Sequence, residues 1–106
     1  MLKGAKRRYL ALAIESDKMF DSKELMDAVW SATSKLYGEY GASRTGLTLI
    51  SYDMEKGFAV VRTVHTAVDM VRTALASITK IGNNPAAIHI LKVSGTIKAL
   101  YKKTGQ

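Results

Sequence analysis

The chain has 106 residues, 47% of them hydrophobic, and a formal net charge of +7 from 16 Lys+Arg against 9 Asp+Glu. This is the size of one globular domain with a modest core, so a single domain over 1–106 is expected, with residues 1–7 as a flexible basic arm. Cysteine is absent, which excludes disulfides, thiolate metal sites and cysteine nucleophiles together.

The basic opening ahead of residues 9–14 imitates a signal peptide, but the apolar run is short and is stopped by Glu15 and Asp17. No segment is long and apolar enough to span a bilayer, and a soluble, cytoplasmic protein without a membrane partner is expected. The distribution of charge says more than its sum. Residues 1–8 carry four bases and no acid, residues 15–39 are net acidic, and beyond Asp69 there are six bases and no acid. Such asymmetry suits a polyanionic partner, most often nucleic acid.

Residues 8–15 read as a first strand with Leu10, Leu12 and Ile14 on one face and Tyr9, Ala11 and Ala13 on the other, both apolar. Asp21, with Glu24 three residues on, is a capping box, and Phe20 with Leu25 forms its hydrophobic staple. The helix so started places Leu25, Met26, Val29, Trp30, Thr33, Leu36 and Tyr37 on one stripe, with Gly38 and Gly41 as its stop. Residues 47–52 and 58–63 flank a polar five-residue connection ending in Gly57 and read as a hairpin. Thr66 with Asp69 predicts the cap of a second helix whose stripe is Val68, Val71, Leu75 and Ile78, broken by Gly82-Asn83-Asn84-Pro85. A fourth strand over 87–93 runs through Ser94-Gly95-Thr96 into a short basic helix over 96–103.

The order β-α-β-β-α-β plus a short helix predicts an α+β, ferredoxin-like/RRM-like sandwich on a four-stranded antiparallel sheet, the split βαβ pattern that RNA recognition motifs share. Right-handed crossovers put both main helices on one face. Tyr9, Ala11, Ala13, His89, Leu91 and Val93 then lie on the other, to be covered by the C-terminal helix through Ile97, Leu100 and Tyr101 or by a partner.

Lys56-Gly57-Phe58-Ala59 matches the opening of the RNA recognition motif's central strand signature. Val60 and Thr63 stand at two of the places where a ring is expected, so Phe58 and Tyr9 are read first as packing residues and RNA contacts as Lys and Arg contacts to a folded shape. His65 and His89 do not make a metal set, Asp53 and Glu55 read as a solvated turn, and Ser94 lacks a nucleophile elbow, so neither a catalytic group nor a bound metal or cofactor is expected. The RNA-binding candidates are Lys6, Arg7 and Arg8 before the first strand, Arg44, Arg62 and Arg72 in the middle, and Lys98, Lys102 and Lys103 on the last helix. Arg62 stands out because a strand arginine amid valines is costly unless its guanidinium reaches a carboxylate, a phosphate or a partner. Ser94, Gly95 and Thr96 are read two ways, as an ordinary cap or as a turn whose N–H groups receive phosphate; spacing alone favours the cap.

In order along the chain, Tyr37-Gly38-Glu39-Tyr40-Gly41, Leu49-Ile50-Ser51-Tyr52-Asp53, Gly57 with Val60-Val61-Arg62, Val71-Arg72-Thr73-Ala74-Leu75 and, most specifically, Val93-Ser94-Gly95-Thr96-Ile97-Lys98 resemble archaeal ribonuclease P protein component 2, a family shared with eukaryotic ribonuclease P/MRP subunits. The resemblance covers residues 8–103. It implies a non-catalytic subunit that stabilises the catalytic RNA cleaving the 5′ leader from precursor tRNA, with Mg2+ carried by the RNA. It also implies pairing with a TIM-barrel-like subunit, component 3, as a heterotetramer. Arg62 and residues 94–98 are the positions it carries over; the N-terminal bases rest on electrostatics alone. The rival reading is a ferredoxin-like protein-interaction or small-ligand regulatory domain dimerising through its open sheet face, and a third is a stand-alone metal nuclease.

Overall fold

The computed structural model describes residues 6–103, with side chains through Leu100. The elements are β1 (Arg7–Glu15), α1 (Ser22–Ser43), β2 (Thr48–Asp53), β3 (Phe58–Val64), α2 (Val68–Ser77), β4 (Lys80–Ile81), β5 (Asn84–Pro85), β6 (Ala87–Ser94) and α3 (Ile97–Lys103). The four long strands form an antiparallel sheet in the order β2-β3-β1-β6, and β4 with β5 makes a separate two-residue hairpin. This is the expected α+β, ferredoxin-like sandwich with its short C-terminal helix.

Its centre is β1, hydrogen-bonded on both sides and covered on both faces, which is why its sequence is apolar at successive positions: Leu10, Ala11 and Leu12 are all fully buried. Leu10 and Leu12 pack in the main core with Phe20, Leu25, Val29, Ala59, Val61, Val71 and Leu75 from the helix side. Ala11 packs on the opposite face with Val60 and Leu100, so α3 is the element that closes the second face.

The capping box of α1 is present in full. Asp21 accepts from the Glu24 N–H at 2.8 Å, and Glu24 accepts from the Asp21 N–H at 2.9 Å. Gly38 does not end the helix. It takes φ 78, ψ 165, a conformation open mainly to glycine, and the chain resumes helical geometry to Ser43 with Ala42 fully buried. The buried line is Leu25, Val29 and Thr33; Trp30 and Leu36, placed on the stripe by sequence, are 41% and 46% exposed. Trp30 is one residue, about 100°, past Val29, and Leu36 lies in the turn that Gly38 interrupts.

Three boundaries differ from expectation. β1 starts at Arg7, whose partner is Val64, and the Lys6 carbonyl accepts from the His65 N–H at 2.8 Å. The arm expected over 1–7 thus gives Lys6 and Arg7 to the fold, while residues 1–5 lie outside the described residues. Thr66 does not cap α2: a 3-10 turn over His65–Ala67 leads into it, and the N-cap, Ala67, has no side-chain bond. The helix ends at Ser77, ahead of Gly82, because the β-branched Ile78, Thr79 and Ile81 prefer extended backbone, and Lys80–Ile81 forms one arm of the β4–β5 hairpin.

Two bulges set the sheet faces. Between β1 and β6 the register steps from Ala11↔Lys92 to Leu12↔Ile90, leaving Leu91 as the inserted residue. One extra residue reverses the alternation beyond it. Val93 therefore pairs with Leu10 and packs in the main core, against the expectation that it shares the open face with Leu91, and Lys92 takes the open-face position beside Ala11. A second bulge inserts Ile50 between Leu49↔Val61 and Ser51↔Val60. Thr63 also faces the helices: it is fully buried and its Oγ1 donates to the Thr45 carbonyl at 2.6 Å.

Candidate nucleic-acid interface

Antiparallel topology sorts the charges along the sheet. The start of β1, the ends of α1, β3 and β6, and the start of α2 all lie at one end; the end of β1, the starts of α1, β3 and β6, and the β2–β3 turn lie at the other. The second end holds seven of the nine acids, Glu15, Asp17, Asp21, Glu24, Asp27, Asp53 and Glu55. The first holds Lys6, Arg7, Arg8, Arg44, Arg62, Lys92 and the approach to Lys98. Among the described residues, Lys23 pairs with Asp27 and His89 Nε2 contacts Glu15, each at 2.9 Å and both at the acidic end. Asp27 holds the Lys23 ammonium above the usual lysine pKa, first by its hydrogen bond and then by its charge. Among the described residues, no cation at the basic end is neutralised by a carboxylate.

Within the basic end the residues form two groups. On the open sheet face, Thr48, Arg62, Tyr9 and Ser94 make one row across β2, β3, β1 and β6, with Lys92 in the next. The Arg62 side chain is half-buried, and its Nε is buried with no hydrogen-bond partner among the described residues. A desolvated donor without a partner costs free energy that an arriving acceptor returns, so Arg62 is primed for an anion. Arg8 lies against the turn after β6: a Cβ added at Gly95 would sit 3.6 Å from its Nη1, which itself donates to the Arg7 carbonyl at 3.1 Å. In the helix layer, Arg44 stacks on Tyr40 with its guanidinium carbon 5.5 Å from the ring centroid, while its Nη1 donates to the Tyr40 hydroxyl at 2.9 Å. Arg72 is exposed on α2, on this layer and apart from the sheet-face group.

The Ser94-Gly95-Thr96 turn spends its hydroxyls on itself. Thr96 Oγ1 accepts from the Ala99 N–H at 3.1 Å and Ser94 Oγ from the Thr96 N–H at 3.4 Å, the bonds of a capped helix start. Lys98 is exposed. The side chains of Lys102 and Lys103 lie outside the described residues. Lys92 is the basic residue that reading the sequence missed, because only the Leu91 bulge turns it to the open face. At the acidic end, Asp53 caps its turn by accepting from the Lys56 N–H at 3.1 Å, and His89 is exposed beside Glu15.

A ferredoxin-like domain with a helix-covered second face and one end rich in unpaired cations is the class this arrangement defines. The model of the Rpp14/Pop5 family matches residues 8–104. Ribonuclease P protein component 2 of Methanosarcina mazei is 32% identical, covering 93% of this chain and 84% of the relative. The proteins of the same name from Pyrococcus furiosus and Pyrococcus abyssi are 34% and 36% identical, each covering 92% of this chain and 82% and 83% of theirs. The chain belongs to the Rpp14/Pop5 family of ribonuclease P and MRP protein subunits. Its fold also matches a chain in a structure of yeast ribonuclease MRP, with a TM-score of 0.74 at 15% identity, over 100% of this chain and 96% of that one.

Proposed function

We propose that this chain is a non-catalytic protein subunit of ribonuclease P that binds and stabilises the catalytic RNA, which cleaves the 5′ leader from precursor tRNA. The observation that carries the reading is the basic end, where Arg7, Arg8, Arg62, Lys92 and their neighbours stand without carboxylate partners among the described residues, while the Lys23–Asp27 pair and the His89–Glu15 contact sit at the opposite end. Family membership supplies the RNA class, and unpaired cations supply the chemistry: each phosphate they meet releases counterions, favouring the compact, active RNA fold at lower magnesium. In this reading the chemistry belongs to Mg2+ held by the RNA, the site of action is the cytoplasm, and a TIM-barrel-like subunit, component 3, joins the chain in a heterotetramer. Precursor tRNA is met through the RNA.

Reconstitution with ribonuclease P RNA at limiting magnesium, with and without partner subunits, tests it. Addition of the chain should lower the magnesium needed for leader cleavage, and Arg62→Ala or neutralisation of Lys98 and Lys102 should weaken cleavage more than folding. Unchanged RNA activity at every magnesium concentration would count against the reading, as would cleavage of precursor tRNA by the protein alone.

A further inference from the structure

Within the described residues, the strand begun by the signature Lys56-Gly57-Phe58-Ala59 is covered by Leu100 at Val60 and not at Phe58. Of the open-face positions of β3, Val60 is fully buried with Leu100 against it, and Arg62 lies at the basic end. Phe58, opposite Ala13 on β1 and Asp53 on β2, instead lines a groove of about 500 Å³ together with Ala13, Asp53, Lys56 and Leu91. Leu91 is 52% exposed there because the bulge pushes it out of the ladder. Among the lining are the Phe58 ring, two apolar side chains, one carboxylate and one ammonium, with Ser51 and Tyr52 beside them. Asp53 engages only Oδ1 in its turn, so Oδ2 has no hydrogen bond within the described residues.

We infer that this groove is a pocket for a single unpaired nucleobase bearing an exocyclic amino group, cytosine, adenine or guanine, stacked on Phe58 with its amine donating to Asp53. The inference rests on the RNA-subunit reading and deepens it by assigning the base-contacting position. The chemistry at the rim selects the ligand: Asp53, Glu55 and Glu15 at this end repel a phosphate, whereas a carboxylate accepts from an amino group and rejects the carbonyl that uracil presents in its place. With Leu100 over Val60, the sheet can hold one base where an uncovered sheet of this fold stacks two or three.

The test is NMR titration of the full 15N-labelled chain with single-stranded hexamers of cytidylate, adenylate and uridylate and with an abasic ribose-phosphate hexamer. Amides at Ala13, Asp53, Phe58 and Leu91 should shift with cytidylate and adenylate, about fivefold more weakly with uridylate, and not with the abasic chain. Phe58→Leu, which keeps an apolar side chain, should weaken the response about tenfold with the rest of the spectrum unchanged. Asp53→Asn keeps an acceptor for the Lys56 N–H and should turn the preference toward uridylate, whose carbonyl the amide can donate to. A groove that ignores every hexamer, or answers the abasic chain equally, overturns the pocket, as does a groove that responds only to a protein subunit. Retained salt-steep binding of ribonuclease P RNA in those cases leaves the wider reading standing; its loss removes both.

Discussion

The two ends of the sheet are made from the same four strands yet handle charge in opposite ways. At the acidic end carboxylates find local work: Asp21 and Glu24 cap α1, Asp53 caps a turn, Asp27 and Glu15 hold Lys23 and His89. At the basic end, apart from Arg44 on Tyr40 and Arg8 on a neighbouring carbonyl, the cations have no acceptor among the described residues, and Arg62 keeps a buried Nε without a partner there. One end uses its charges to hold the fold together, and the other leaves them available for something outside it. Strand β1 joins the two, running from Arg7 to Glu15 over a length of about 30 Å.

The comparison breaks most visibly if charge is removed from one end at a time. Replacing Arg8, Arg62 and Lys98 together by Gln should lower affinity for ribonuclease P RNA about a hundredfold and reduce the slope of log affinity against log salt by roughly 2–3. Replacing Lys18, Lys23 and Lys56 instead should leave the slope nearly unchanged. Binding isotherms across a salt series read both, and equal slopes for the two triple variants would erase the distinction between the ends.

The converse variant belongs to the acidic end and should move stability while leaving the salt dependence of RNA binding as it is. Gly57 has φ 64, and a Cβ placed there would lie 2.7 Å from the Ile14 carbonyl oxygen, in the strand whose N–H donates to the Gly57 carbonyl at 2.7 Å. Backbone cannot yield as a flexible side chain can, so Gly57→Ala should cost roughly 2–3 kcal/mol and lower the melting temperature by roughly 10–20 °C. Thermal unfolding measures it; a shift of a degree or two would mean that the turn adapts. Below its melting temperature the variant should keep the wild-type salt slope.

What the sequence disclosed follows from how local each signal is. The capping box at Asp21, the two apolar faces of β1 and the glycine that ends the β2–β3 turn are written in a few adjacent residues, and the structure has all three. The bulges at Ile50 and Leu91 are invisible, since each inserted residue continues an apolar pair, Leu49-Ile50 or Ile90-Leu91, and only pairing across the sheet makes it extra. That single step misplaced Val93 and hid Lys92. Gly38 and Thr66 carried the right chemistry with the wrong outcome: tertiary packing of Ala42 draws the helix past one, and the hold of the Lys6 carbonyl on His65 sets the turn before the other. The basic end itself was legible only as three scattered groups, because gathering them needs the strand order.

The smallest expected effect probes the acidic end's own field. The Tyr52 hydroxyl donates to the Phe20 carbonyl at 2.6 Å, and its pKa is raised above the usual tyrosine value by burial first and then by the Asp21 and Glu24 carboxylates. A folded-state pKa above the unfolded one means that the neutral phenol stabilises the fold. That contribution is complete below the ordinary tyrosine pKa of about 10 and is lost as pH climbs through the higher folded value. Tyr52→Phe should therefore cost about 1 kcal/mol at neutral pH, the worth of one hydrogen bond, and the gap to the wild-type chain should close in alkaline solution. Denaturant unfolding of both proteins at neutral and alkaline pH measures the gap, and one that stays constant would show that neither burial nor the carboxylates raise the Tyr52 pKa in the fold.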